Sequence, residues 1–356
     1  MFSQMKRILI VFTGGTIGSK LDGASIDVQK GGSYSLLEAY ARQAEARADV
    51  ALDTIQPLNL LSENITPRDW VELAAALRET DWSRYAGIVV THGSDTLAYT
   101  SCLAGYLFAD IPIPLVLTAS NYPIHDSRSN GLRNLSAAID FVAEEALPGV
   151  FAVYENGLGG MQVYLGTRLM QCEPFTDQFR APYDLAYGTM ENRRFVWHGD
   201  ARNPEPGSLA PKPPLHDWTA GRPVLETGVV YIRPYPGLDY SHYRLDGGCV
   251  KAVLHDLHHS GTACSVDDGP YSLPAFISRC REQGIDVYLC PVKDAADALY
   301  ASSHALIEAG ATILDGMSVE AALTKLMLVY GQAGTGVSRP RAAMKASVYY
   351  ERLAAL

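Results

Sequence analysis

Four stretches of this chain are continuously apolar rather than alternating: "RILIVF" at 7–12, "GIVVTH" at 87–92, "IPLVLTA" at 113–119 and "GVFAVY" at 149–154. A strand with one face in water alternates apolar and polar residues. A strand covered on both faces by helices does not, so these runs predict buried parallel strands. Helical patterns lie between them. "TPRDWVELAAALRET" (66–80) opens with Thr66 as N-cap, Pro67 at the first helical position and Asp69 in the first turn. Alternating strand and helix implies βαβ crossovers and an open, mostly parallel sheet flanked by helices.

A break follows. Between 204 and 214 there are five prolines, too many for a helix or a central strand. The expected organisation is an N-terminal α/β catalytic domain over 1–198, an extended Pro-rich linker over 199–224 and a smaller C-terminal α/β domain over 225–356. In the C-terminal part "TGVVYIRP" (227–234), "GCVKAVLHDL" (248–257) and "SLPAFISRCREQGIDVYLCPV" (272–292) resume the alternation. In the closing helix "SVEAALTKLMLVYG" (318–331), Val319, Ala322, Leu323, Leu326, Met327 and Tyr330 share one face, with Gly331 as the expected C-cap.

Composition closes several functional classes. A net charge of −10 with no Lys/Arg cluster argues against a nucleic-acid groove. No apolar run reaches the roughly 18 to 20 residues of a membrane span, and the start of the chain lacks the apolar region of a signal peptide, so a cytoplasmic protein is expected. Six cysteines stand without a CxxC pair and read as reduced. "HDLHH" at 255–259 lacks metal-ligand order and reads as a helical surface.

The first strand runs into "TGGTIGSK" (13–20), which misses both phosphate-binding patterns. Only three residues separate Gly14 from Gly18, against four in a Walker loop, and adjacent Gly14 and Gly15 break the dinucleotide turn. There remains Thr16, a hydroxyl at a strand's carboxyl end, where open α/β sheets bind ligands; it is either a nucleophile or a turn cap. The second strand ends in "THGSDT" (91–96), bringing Ser94 and Asp95 to an equivalent place. A hydroxyl nucleophile needs a proton acceptor, and a carboxylate beside a second hydroxyl can orient one. His92 is either a base or a residue that shapes the turn.

"TGGTIG" with "THGSDT" resembles the paired signature of the bacterial L-asparaginases, and "SENITPRDW" (62–70) and "DGMSVEAALTKLM" (315–327) resemble further blocks of the cytoplasmic type I branch. The resemblance implies two α/β domains, no metal or cofactor, and hydrolysis of a side-chain amide, chiefly that of L-asparagine with L-glutamine as the second candidate, to acid and ammonia. It implies Thr16 as nucleophile, Ser94 and Asp95 as its catalytic partners, Ser62 and Glu63 as the substrate clamp and Ser120 as a backbone contact. The strand-end turns at Gly15 and Gly93 would supply backbone N–H groups, and Tyr34 is the candidate mobile-loop tyrosine. The family builds homodimers or homotetramers. Two other classes remain: the amidase subunit of a tRNA-dependent amidotransferase, and a non-catalytic amino-acid sensor.

Three departures are specific to this chain. Ser94 replaces the second-motif threonine, keeping the hydroxyl. Glu63 puts a carboxylate in the clamp, favouring a substrate ammonium. No lysine occurs between Lys30 and Lys212, so the family's lysine is missing; Met170 or Gln171 takes its place. Arg168 is the nearest basic residue and is expected to reach toward Asp95 within ion-pair range.

Overall fold

The computed structural model describes residues 5–14, 19–22, 25–28, 32–44, 46–245, 248–293, 300–333 and 340–354, without side chains at 19–34 and 301. The chain divides into two compact units, Met1–Arg222 and Pro223–Leu356.

The first unit contains strands β1 (Lys6–Phe12), β2 (Ser19–Asp22), β3 (Ser25–Val28), β4 (Val50–Ile55), β5 (Gly87–Thr91), β6 (Pro114–Thr118), β7 (Gly149–Asn156), β8 (Gly160–Leu165), β9 (Met170–Glu173), β10 (Gln178–Arg180), β11 (Gly188–Glu191) and β12 (Arg194–Trp197). Its helices are α1 (Gly32–Ala41), α2 (Pro67–Arg78), α3 (Leu97–Leu107) and α4 (Gly131–Glu144). Eight strands form one sheet in the order β12-β11-β8-β7-β6-β5-β1-β4. β4, β1, β5, β6 and β7 run parallel, and β8, β11 and β12 extend the sheet antiparallel. The four continuous apolar runs are its central strands, and β5 and β6 are buried at every residue.

Both faces are covered. Val150 and Phe151 are neighbours on β7 and so point to opposite faces. The Phe151 ring lies 5.0 Å from that of Phe141 on α4, tilted by 60°, whereas Val150 lies where α3 and the 166–168 turn approach. The tight fit on the α3 side shows at Gly166, where a Cβ would stand 2.8 Å from Val150 and 3.0 Å from the Ser101 carbonyl.

α2 starts as its sequence predicts. Thr66 and Asp69 form a capping box, the Asp69 carboxylate accepting from the Thr66 backbone N–H at 2.8 Å. The Pro-rich stretch departs from expectation. It is no free linker: Lys212 N–H donates to the Ala109 carbonyl at 2.7 Å, Leu215 N–H to Tyr106 at 2.9 Å and the Trp218 indole to Leu107 at 2.9 Å. Proline removes N–H donors and so prevents regular structure, but the residues between prolines still pair their backbone along the end of α3.

The second unit has a parallel sheet of β13 (Val229–Ile232), β14 (Ala252–His255), β15 (Asp286–Val292) and β16 (Thr312–Asp315) in sequential order, with helices α5 (Leu273–Glu282), α6 (Ala301–Ala309), α7 (Val319–Gly331) and α8 (Pro340–Lys345). Two expectations fail here. "HDLHH" is not helical: His255 ends β14, buried with its Nε2 2.8 Å from the Tyr240 hydroxyl, and His258 N–H pairs with the Thr262 carbonyl at 2.8 Å. α7 does not bury the single predicted face. Ala322 and Leu326 of that face are buried, but so are Ala321, Thr324, Lys325, Leu328 and Val329 from the rest of the helix. α7 packs on the sheet and also under α8 and the C-terminal segment, so it is enclosed from two directions. Gly331 ends the helix from inside, and Gln332 takes the cap position.

Candidate active site

Counting only the parallel strands of the first unit, chain order passes from β1 outward to β4, then back across β1 to β5, β6 and β7. The order therefore reverses between β1 and β5. In an open α/β sheet that reversal leaves a crevice at the carboxyl ends of the two strands, because their following loops diverge to opposite sides. The loop after β1 leads to Thr16, and the loop after β5 carries Ser94 and Asp95.

Backbone bonds lock these loops together. Thr13 N–H and its hydroxyl both donate to the Thr91 carbonyl, at 3.2 and 2.9 Å, which ties the end of β1 to the end of β5. Leu60 N–H donates to the Thr13 carbonyl at 3.1 Å and draws in the loop after β4. At Gly14, φ is +96° and a Cβ would lie 2.5 Å from the Leu60 carbonyl oxygen, so only glycine fits between the loops. Gly15 and Thr16 lie outside the described residues, as does the side chain of Tyr34, which falls in the first turn of α1.

The loop after β4 delivers Ser62 and Glu63 on a single turn, Ser62–Asn64. Thr96, the N-cap of α3, donates its hydroxyl to the Ser62 carbonyl at 2.9 Å instead of capping its own helix. The structure thus brings Ser62, Glu63 and Asp95 together: the buried Ser62 faces the Asp95 carboxylate, and Glu63 lies near enough to act on its charge. Asp95 is exposed as a whole residue, but partial desolvation of its carboxyl by the surrounding loops first, and the like charge of Glu63 second, push it above its ordinary value, while the Ser62 hydroxyl holds it back. Ser94 is half-buried, and Gly93 beside it is buried.

His92 takes its other reading. Trp70 donates its indole N–H to the Thr100 hydroxyl at 2.9 Å, and that hydroxyl lies 3.0 Å from His92 Nε2. The Thr100 proton then points at Nε2, so Nε2 accepts and Nδ1–H donates to the Gly93 carbonyl at 2.8 Å. Burial pushes the imidazole down to about 4. A neutral ring with both nitrogens engaged shapes the turn on which Ser94 and Asp95 stand. Ser120, one strand further along, is buried and spends its hydroxyl inside its own loop, at 2.5 Å from the Tyr122 carbonyl and 2.9 Å from Ser129.

The expectation for Arg168 is corrected. Its buried guanidinium donates to Asn203 Oδ1 at 2.9 Å and to the Arg202 carbonyl at 3.2 Å, and the groups that shift Asp95 are its burial, Glu63 and Ser62. Asn203 in turn donates to the Ala186 and His198 carbonyls, so Arg168 helps hold the irregular arm 199–222 on the sheet. The carboxylate whose charge it is seen to act on is that of Asp200, in the same arm, and its hydrogen bonds run to amide and backbone oxygens. Two contributors were not foreseen: Thr96 and the Trp70–Thr100 pair. Thr96 was signalled only by its place directly after Asp95 and before the helix, and nothing in sequence links Thr100 to His92.

A mostly parallel sheet with Ser62, Glu63 and Asp95 brought together at its reversal point defines an open-sheet α/β protein, a class whose ligands bind outside the carboxyl ends of the strands. The family model for "Asparaginase, N-terminal" matches residues 7–202. The L-asparaginase of Thermococcus kodakarensis is 31% identical over 330 residues, covering 91% of this chain and 93% of that protein. The solved structure of the thermostable L-asparaginase from Thermococcus kodakarensis matches with a TM-score of 0.78 at 25% identity, over 98% of this chain and 100% of that one. Escherichia coli L-asparaginase 1 is 25% identical over 92% of this chain and 93% of that protein. The mouse 60 kDa lysophospholipase is 26% identical over 94% of this chain, which spans 60% of that protein. The chain belongs to the asparaginase family.

Proposed function

We propose that this protein is an amidohydrolase that cleaves the side-chain amide of L-asparagine to L-aspartate and ammonia, with Thr16 as nucleophile. The observation that carries this reading is the locking of three loops at the β1/β5 crevice, which brings Ser62, Glu63 and Asp95 onto one small patch. The Thr16 hydroxyl attacks the amide carbon, and its proton passes through Ser94 and Asp95 to the departing ammonia. The ester left on Thr16 is then hydrolysed by water oriented by the same pair. Backbone N–H groups of the strand-end turns at Gly15 and Gly93 stabilise the oxyanion. Glu63 and Asp95 together favour a substrate carrying an α-ammonium, and Ser62 adds a neutral hydrogen-bonding group for it.

The direct experiment is ammonia release from asparagine, glutamine and simple primary amides by the purified chain. Turnover with asparagine in preference to the simple amides is expected; binding of asparagine with no ammonia from any of them would replace this reading with that of a sensor. The assembly is a homodimer or homotetramer of closed symmetry. A fully active monomer by light scattering at micromolar concentration would overturn that part.

The electrostatics of the clamp give a further expected result. An acid whose pKa is raised stays protonated to higher pH, so the carboxylate form of Asp95 appears only as pH climbs through the raised value. Glu63→Gln removes the like charge and lets Asp95 ionise at lower pH. The acid limb of the kcat/KM profile should move to lower pH, and by less in high salt because Glu63 is exposed. An unmoved limb would show that Asp95 is not the group being titrated.

A further inference from the structure

Gln171 lies on β9, outside the large sheet, yet its side chain crosses to the loop that follows β5. Its amide nitrogen donates to the backbone carbonyl of Asp95 at 3.3 Å, and its amide oxygen accepts from the Tyr99 hydroxyl at 3.4 Å. Tyr99 stands in the first turn of α3, so both ends of the amide touch the junction that carries Ser94 and Asp95. The next residue, Cys172, confirms that β9 runs close by. Its thiol is pushed up to about 12 by burial and then by the charges of Asp177, Glu173 and Asp95.

We propose that Gln171 is a positioning residue for the chemistry at Asp95: oriented by Tyr99, its amide holds the Asp95 peptide and so fixes the direction of the carboxylate. This rests on the amidohydrolase reading above. A peptide carbonyl requires a donor and a phenol requires an acceptor, and a primary amide offers both at opposite ends of one rigid group. A leucine of similar size offers neither. The described groups facing the Asp95 carboxyl are Ser62 and Glu63 from the 62–64 turn and Cys172 from β9; Arg168, from the turn before β9, is directed to Asn203 and the Arg202 carbonyl. The amide acts at the backbone side of the same residue, and the carboxylate keeps its side-chain partners.

The test uses the full-length enzyme. Gln171→Leu and Tyr99→Phe should each lower kcat for asparagine about tenfold with KM within about twofold, because orientation is lost rather than binding. Gln171→Lys keeps a donor at the Asp95 carbonyl and brings a cation near the carboxylate. It leaves Tyr99 without the Gln171 acceptor, so kcat should recover only in part relative to Gln171→Leu, and the added cation should lower the Asp95 titration midpoint, read by carbon NMR of the carboxyl. A packing role alone would change thermal stability and leave the kcat-to-KM split and the titration in place. Wild-type kcat in Gln171→Leu, or an unchanged Asp95 titration in Gln171→Lys, overturns the proposal. Should the wild-type chain release no ammonia, the amidohydrolase reading fails on its own, while an unchanged Asp95 titration in Gln171→Lys still overturns the placement of residue 171 beside Asp95.

Discussion

Thr16→Ala should leave no more than about a thousandth of wild-type ammonia release from asparagine, the scale of loss that follows removal of a nucleophile. The substitution deletes a hydroxyl and a methyl two residues beyond Gly14. The described bonds that lock the loops, Thr13 to Thr91, Leu60 to Thr13 and Thr96 to Ser62, are made by other residues. The thermal midpoint should therefore stay within a few degrees, and bound asparagine should still be detectable by calorimetry. Ser94→Ala gives the comparison, with a smaller loss because it removes a proton relay rather than the attacking atom. Retention of more than about a tenth of activity in Thr16→Ala would show that the attacking group is another.

The largest effect on stability is expected in the second unit, at Lys325→Met. Lys325 and Glu351 are both fully buried and paired at 2.8 Å. Lys325 also donates to the Met344 and Ala346 carbonyls, and Glu351 accepts from the backbone N–H groups of Val348 and Tyr349 at 2.9 Å. The pair thus fastens the C-terminal segment over α7. Removing one partner strands a buried charge, which costs about 3–5 kcal/mol, whereas replacing a whole pair with apolar residues is often nearly neutral. Neutral replacement should not rescue this pair, because the N–H groups at 348 and 349 would lose their acceptor. Unfolding in denaturant measures it, and a loss below about 1 kcal/mol would mean the segment is held by its apolar contacts alone.

The pH dependence follows from the same pair. Burial alone would raise the Glu351 carboxyl, but Lys325 and the backbone donors outweigh it, so its pKa in the folded chain lies below the ordinary glutamate value. A depressed carboxylate pKa contributes stability that is complete above the unfolded value, about 4.3, and is lost as pH falls through the folded one. Acid unfolding of the wild-type chain should therefore steepen below about pH 4, and Glu351→Gln should flatten that limb while lowering stability at neutral pH.

Sequence by itself determined what depends on near neighbours and on the continuous burial of a segment. The central strands were legible because a strand covered on both faces has no polar positions to spare, and β5 and β6 are indeed buried throughout. The start of α2 was legible because a capping box closes within four residues. The family, and with it the class of chemistry, was legible in four short motifs at the two ends of the chain. The antiparallel extension β8, β11 and β12 was not, since short edge strands carry a weak pattern and their pairing is a long-range event. Nor was the burial of Lys325, a residue that belongs at the surface until a partner 26 positions away encloses it. Arg168 shows the limit most clearly. In sequence it is the basic residue nearest the vacant lysine position, but Asn203, 35 residues on, takes its guanidinium. Gln171, a neutral amide, reaches the Asp95 backbone carbonyl instead. Proximity along the chain sets which elements form, whereas the direction of a long polar side chain is decided by whichever distant donor or acceptor folding leaves within about 3 Å of it.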